Sequence, residues 1–169
     1  MGNKAILMSI QPKWVAKILN GDKTIEVRKK FPKDYVGWVY IYCTKGKLPI
    51  MEYINRGVHN IITDNRFDKS FKYYLNGKVV ARFWCNKVEE IYWQPNFGLG
   101  NDSFYTHTLA DIELEQKSCL KAKDFINYLG CENGYAIHIS KLEVFDKPRE
   151  LKEFKVKKAP QSYMFIEGE

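Results

Sequence analysis

The stretch from Ser9 to Arg28, Ser-Ile-Gln-Pro-Lys-Trp-Val-Ala-Lys-Ile-Leu-Asn-Gly-Asp-Lys-Thr-Ile-Glu-Val-Arg, decides how the rest of the chain is read. Pro12 suits the first turn of a helix, where a missing N–H has no intrahelical partner to lose. Trp14, Val15, Ile18 and Leu19 recur at helical spacing and make one apolar stripe. Gly21 follows the last apolar position, where a left-handed cap is wanted. The period then changes from helical to alternating. Ile25 and Val27 point to one side of a strand, and Thr24, Glu26 and Arg28 to the other. A carboxylate and a guanidinium thus share one face, with Lys23 arriving from the turn. Taken alone, this is a solvated strand face with an ion pair worth at most about 1 kcal/mol.

The pattern Gly-x-Lys-x-x-Glu-x-Arg, here Gly21, Lys23, Glu26 and Arg28 after Ser-Ile-x-Pro, resembles the signature of the ASCH family. The likeness extends to Gly77-Lys-Val-Val-Ala-Arg-Phe83 in the middle of the chain. Near the end it takes in Lys147-Pro148, Leu151, Phe154 and Ala159-Pro-Gln-Ser-Tyr163. It implies an α+β fold, a PUA-like mixed β-barrel with flanking short helices, related to modules that bind RNA or modified bases. One domain over residues 1–169 is expected, with an insertion at 49–76.

Length and composition agree with a folded chain. The 169 residues are 45% hydrophobic and 15% aromatic, enough for a core and against disorder. The formal charge of +7 favours polyanionic partners, although charge speaks to steering and solubility rather than to fold. Cys43, Cys85, Cys119 and Cys131 form no Cys-x-x-Cys pair, and Met-Gly-Asn-Lys-Ala has no export-signal character, so reduced thiols and a cytoplasmic location are expected. No apolar run reaches the roughly 20 residues of a membrane span. His59, His107 and His138 are not at ligand spacing with the cysteines, so neither metal nor cofactor is expected.

Along the chain, Lys4 to Met8 reads as a strand, and Lys29 to Asp34 as a basic turn open to phosphate or to solvent. Val36 to Cys43 is a strand with an aliphatic face and an aromatic face of Trp38, Tyr40 and Tyr42, suited to packing against a helix or to stacking on bases. Pro49 to Arg56 reads as a short helix ended by Gly57. Lys78 to Cys85 is a strand that sets Arg82 and Trp84 on one face, an arrangement that permits cation–π stacking. The segment up to Ser118 reads as irregular or short strand. Lys121 to Leu129 is an amphipathic helix with Phe125, Tyr128 and Leu129 on one side. Tyr135 to Ile139 is a strand, continued by Lys141 to Phe145 and broken at Lys147-Pro148, and His138 on it reads as a packing residue. Tyr163 to Glu167 closes the sheet.

Three functions follow as expectations. In the first, the barrel mouth binds single-stranded RNA or a nucleotide: Lys23, Arg28 and Arg82 meet phosphate, Glu26 accepts from a base edge, and Trp14 or Trp84 stacks. Ser9, Lys13, Gln161 and Ser162 complete that pocket because they stand at motif positions, with helix entry and barrel closure as their structural alternatives. In the second, the resemblance implies an amidohydrolase acting on an acylated cytidine, or a ribonuclease. Lys23, Thr24 and Glu26 are then catalytic, a base-activated threonine hydroxyl attacking and a lowered-pKa lysine serving it. The glutamate that the family carries on the central strand falls at or beside Phe83, where no acid stands. In the third, a protein of mobile-element origin binds a protein partner through 49–76.

Overall fold

In a computed structural model, residues 4–47, 50–55, 58–63, 73–96 and 102–168 are described, with 50–55, 58–63 and 73 described by backbone alone. Two compact units result. The first comprises Met1–Gly21, Gly37–Trp84 and Lys141–Glu169, and the second Asp22–Val36 and Cys85–Ser140.

In the first unit, β1 (Lys4–Ile10) runs antiparallel to β10 (Tyr163–Glu167) and parallel to β3 (Gly37–Cys43). Strand β1 is buried from Ala5 onward, as its near-continuous apolar run requires. Helix α1 (Pro12–Leu19) begins with Pro12 in its first turn and buries Val15, Ala16 and Ile18. Gly21 follows it at φ +81°, the left-handed conformation that a residue without Cβ adopts freely. The aromatic face of β3 packs as a core. Tyr40 and Tyr42 are buried with Leu7, Val79 and Ile166, beneath Leu151 and Phe154 of a short 3₁₀ helix, Leu151–Phe154. Three further strands, β4 (Ile50–Asn55), β5 (Val58–Thr63) and β6 (Tyr73–Tyr74), form a separate sheet in the order β5-β4-β6.

In the second unit, β2 (Ile25–Arg28) pairs antiparallel with the first half of β9 (Gly134–Arg149), and β8 (Ser103–Tyr105) with the far end of β7 (Val79–Gln94). Helices α2 (Asp111–Ser118) and α3 (Ala122–Leu129) bury Leu114, Phe125 and Leu129, and Ile25, Val27, Phe104 and Ile137 of the same unit are buried as well. Phe104 and Phe125 stack with centroids 5.1 Å apart, and burying each ring is worth about 1.5–3 kcal/mol.

The α+β class, with three short helices and a mixed seven-stranded sheet, is as the sequence implied. Hydrogen bonding runs β10-β1-β3-β7-β9-β2 with β8 beside β7, and among the described residues no pairing joins β10 to β2. The barrel is therefore an open sheet at this level of pairing.

Four local readings are corrected. Residues 50–55 are strand β4, not a helix, because Ile50 to Asn55 pair in register with Thr63 to Val58. Positions 49, 56, 57 and 64–72 of the expected insertion lie outside the described residues. Residues 111–118 form helix α2 where irregular chain was read. Strand β9 runs on through Lys147 and Pro148 to Arg149. Pro148 is next to its last residue, where a missing N–H costs the ladder little. On α3, Phe125 and Leu129 are buried but Tyr128 is exposed. Among the described residues no helix is long and apolar enough to cross a membrane.

Candidate functional site

Strand β2 carries Glu26 and Arg28 of the signature, with Lys23 just before it, and all four strand positions are buried. Lys23, Glu26 and Arg28 are only 2%, 5% and 8% exposed. Glu26 accepts both cations: its Oε2 is 3.4 Å from Lys23 Nζ and its Oε1 is 3.0 Å from Arg28 Nη2. Lys23 Nζ also donates to the carbonyl of Ser118, 2.6 Å away. Ser118 is the last residue of α2, and Cys119 follows in the left-handed conformation. An ammonium there satisfies an orphan carbonyl and complements the negative end of the helix. Burial lowers the Lys23 pKa, with Glu26 opposing that shift. Thr24 is exposed, and its backbone N–H donates to Lys117 O at 2.9 Å, so the strand entry and the end of α2 are tied twice. Of the expected catalytic set, Lys23 and Glu26 touch, while Thr24 is exposed.

A second carboxylate in the same unit has no counterpart in the sequence reading. Glu89 on β7 is buried and accepts from Thr106 Oγ1 at 3.1 Å and Thr108 Oγ1 at 2.7 Å. Its Oε2 lies 3.2 Å from Lys87 Nζ and 2.6 Å from His138 Nε2. Burial alone would raise its pKa. Hydrogen bonds from Thr108, His138 and Lys87, with the Lys87 charge, outweigh burial and bring it to about 2. His138, read as a packing residue, is hydrogen-bonded to Glu89 through Nε2, with a side chain 21% exposed. No local pattern signals this hub. Its members come from β7, the 106–108 loop and β9, and only the fold brings them together.

In the first unit, the Arg82 guanidinium lies 4.3 Å from the centre of the Trp38 ring. Its Nε donates to Glu143 Oε2 at 2.7 Å and its Nη1 to Tyr40 Oη at 3.2 Å. Trp84 meets Trp38 edge-on at 5.4 Å, and Lys141 Nζ stands 6.0 Å from the Trp84 ring. Both tryptophans are half-buried. On α1, exposed Lys13 covers the half-buried Trp14 ring at 4.5 Å. Ser9 fastens the chain end: its hydroxyl donates to Pro160 O at 2.6 Å and its N–H to Ser162 O at 2.9 Å. Ser162 thus enters through its backbone, and Gln161 is exposed.

The expected site residues therefore divide. Lys23, Thr24, Glu26 and Arg28 belong to the second unit, whereas Ser9, Lys13, Trp14, Arg82, Trp84, Gln161 and Ser162 belong to the first.

This architecture is the α+β fold of ASCH domains. The solved structure of ASCH from Zymomonas mobilis matches 95% of this chain and 86% of its own, with a TM-score of 0.58 and 16% identity. A mutant of the same protein matches 96% and 90%, with a TM-score of 0.57 and 16% identity. At that identity the likeness is one of fold. Comparison with protein-family profiles and with curated proteins finds no match.

Proposed function

We propose that this protein binds single-stranded RNA or a nucleotide, and that the face carrying Trp38, Arg82 and Trp84 is where bases stack. The observation that carries this reading is the Arg82 guanidinium laid over a half-buried Trp38, with Trp84 beside it. Half-exposed aromatic rings interleaved with cations on adjacent strands are the elements of sequence-tolerant single-strand recognition. The net charge of +7 supports it by steering polyanions. Lys23, Glu26 and Arg28 neutralise one another in a buried cluster, so in this reading they hold α2 to β2 rather than meet phosphate.

The test is the anisotropy of a short labelled single-stranded RNA at low and at physiological salt. Binding should weaken with salt, and Trp84→Ala should weaken it by about five- to a hundredfold, the range for losing one base stack. Equal binding by wild type and variant would remove the stacking face.

One observation favours a second reading, an RNA-cleaving site within the second unit. His138 is held by Glu89 at Nε2, and its Nδ1 has no partner among the described residues. A histidine oriented in this way is equipped as a general base. It would take the proton of a 2′-hydroxyl, whose oxygen attacks the adjacent phosphorus. The P–O5′ bond breaks and the leaving oxygen is protonated, giving a 2′,3′-cyclic phosphate and a 5′-hydroxyl. Shortened RNA that forms with wild type and not with His138→Ala would establish it, and intact RNA with both would dismiss it.

A further inference from the structure

A cavity of about 560 Å³ opens in the first unit, sharing no lining residue with the stacking face, with Tyr42, Lys45, Glu150, Lys152, Lys155 and Lys157 on its walls. Its charge is unbalanced. Glu150 is engaged by Lys78, and Lys155 by Glu167 at 2.6 Å. Lys45, Lys152 and Lys157 make no salt bridge among the described residues. The plain alternative is that these ammonium groups are solvated while their stems cover the apolar floor of Leu151 and Val156.

Two features argue for a ligand. The volume of about 560 Å³ falls in the range of small-molecule sites, although the depression is open to solvent. Lys45 is also seated rather than loose, because its stem crosses Gly77, where a Cβ would stand 3.3 Å from Lys45 Cγ. Gly77 has φ +81°, so glycine serves both the turn and this close approach. Lysines with rotatable donors suit a compact multivalent anion. A phosphate monoester carries about −1.5 to −2 at neutral pH, more than the single charge of a phosphodiester linkage.

We propose that this cavity binds a terminal phosphate monoester, either that of a free nucleotide or that at the end of an RNA strand. The identity of the attached group rests on the RNA or nucleotide reading above; the phosphate site itself rests on the lysines.

The experiment titrates wild type, Lys152→Ala/Lys157→Ala and Arg82→Ala with one RNA octamer in three forms: 5′-phosphorylated, 3′-phosphorylated and unphosphorylated. Uridine 5′-monophosphate is titrated in parallel. Both lysines are exposed and without salt bridges, so the double variant should fold with an unchanged Tm. Wild type should prefer one phosphorylated octamer over the unphosphorylated one by about tenfold, the effect of one or two charge-assisted contacts. The double variant should lose that preference and bind the unphosphorylated octamer as wild type does. Arg82→Ala should weaken all octamers by the same factor. Lysine-dependent binding of the monophosphate without any octamer preference would assign the site to free nucleotides. The proposal is overturned if no phosphorylated probe gains over the unphosphorylated octamer and the monophosphate binds independently of the lysines. Failure of the stacking face reads differently: the unphosphorylated octamer then binds no variant and no wild type, while the monophosphate arm still decides the cavity.

Discussion

The cluster of Lys23, Glu26 and Arg28 and the cluster of Arg82, Glu143 and Trp38 are built from the same kinds of group and do opposite things with them. In the first, one carboxylate serves two cations and all three side chains are at most 10% exposed. In the second, the Arg82 and Glu143 side chains are 22% and 48% exposed, and the guanidinium rests on an aromatic face. Burial makes the difference. A charge taken out of water must be satisfied within the protein, and breaking such a set strands the remainder. A charge at the surface loses little when its partner leaves, so it can exchange that partner for a ligand. Charged motif residues need not be ligand-binding residues; in the reading proposed above, Lys23 ties the end of α2 to the cluster.

The comparison breaks most easily at Glu26. Glu26→Ala leaves Lys23 and Arg28 buried without their shared carboxylate, and should cost roughly 3–5 kcal/mol, or about 10–15 °C in Tm. Thermal melts of the two proteins decide it. A Tm within a degree or two of wild type would mean that the cluster is not structural, and would return these residues to the ligand site.

Glu89 sharpens the same point through pH. Its folded pKa of about 2 lies below the ordinary 4.5, so its contribution is complete above that ordinary value and is lost as pH falls through the folded one. The difference corresponds to about 3 kcal/mol. Denaturant unfolding from pH 6 down to pH 2 should show wild type losing that stability across the acid range. Glu89→Gln should be less stable at neutral pH and flatter in acid. Parallel curves for the two proteins would show that the network holds no pH-linked stability.

What was legible in the sequence was local. Helix α1 announces itself through Pro12 at one end, Gly21 at the other and a stripe between them, and it folds as read. Strand β2 alternates as expected, yet alternation cannot reveal that its polar face is buried as well. Helix α2 was missed because Ile-Glu-Leu-Glu-Gln-Lys has scarcely an apolar stripe: Leu114 is buried and Ile112 is 67% exposed. Strand β4 was misread because Pro49 and Gly57 frame it with helix punctuation, whereas its pairing partner decides its form. Glu89 gave no signal, since its partners other than Lys87 stand 17 to 49 residues away along the chain. Pairings of that range are written in topology, not in spacing.

On the exposed side of the comparison the effects should be smaller and should fall on binding. Trp84→Ala should lose one stack, about 1–3 kcal/mol of RNA affinity, with little change in Tm. Arg82→Lys is the finest probe. It keeps the charge, and with it the electrostatic attraction, but replaces a planar group that stacks on Trp38 with a compact ammonium that does not. Losing the guanidinium plane removes one layer on which a base could stack, and a partial loss of about 0.5–1 kcal/mol would lower affinity by roughly two- to fivefold. The slope of affinity against salt should stay the same, because the number of neutralised phosphates is unchanged. If Arg82→Lys instead binds like wild type while Arg82→Ala shows a shallower salt slope, Arg82 works as a phosphate contact. The stacking role would then pass to the tryptophans alone.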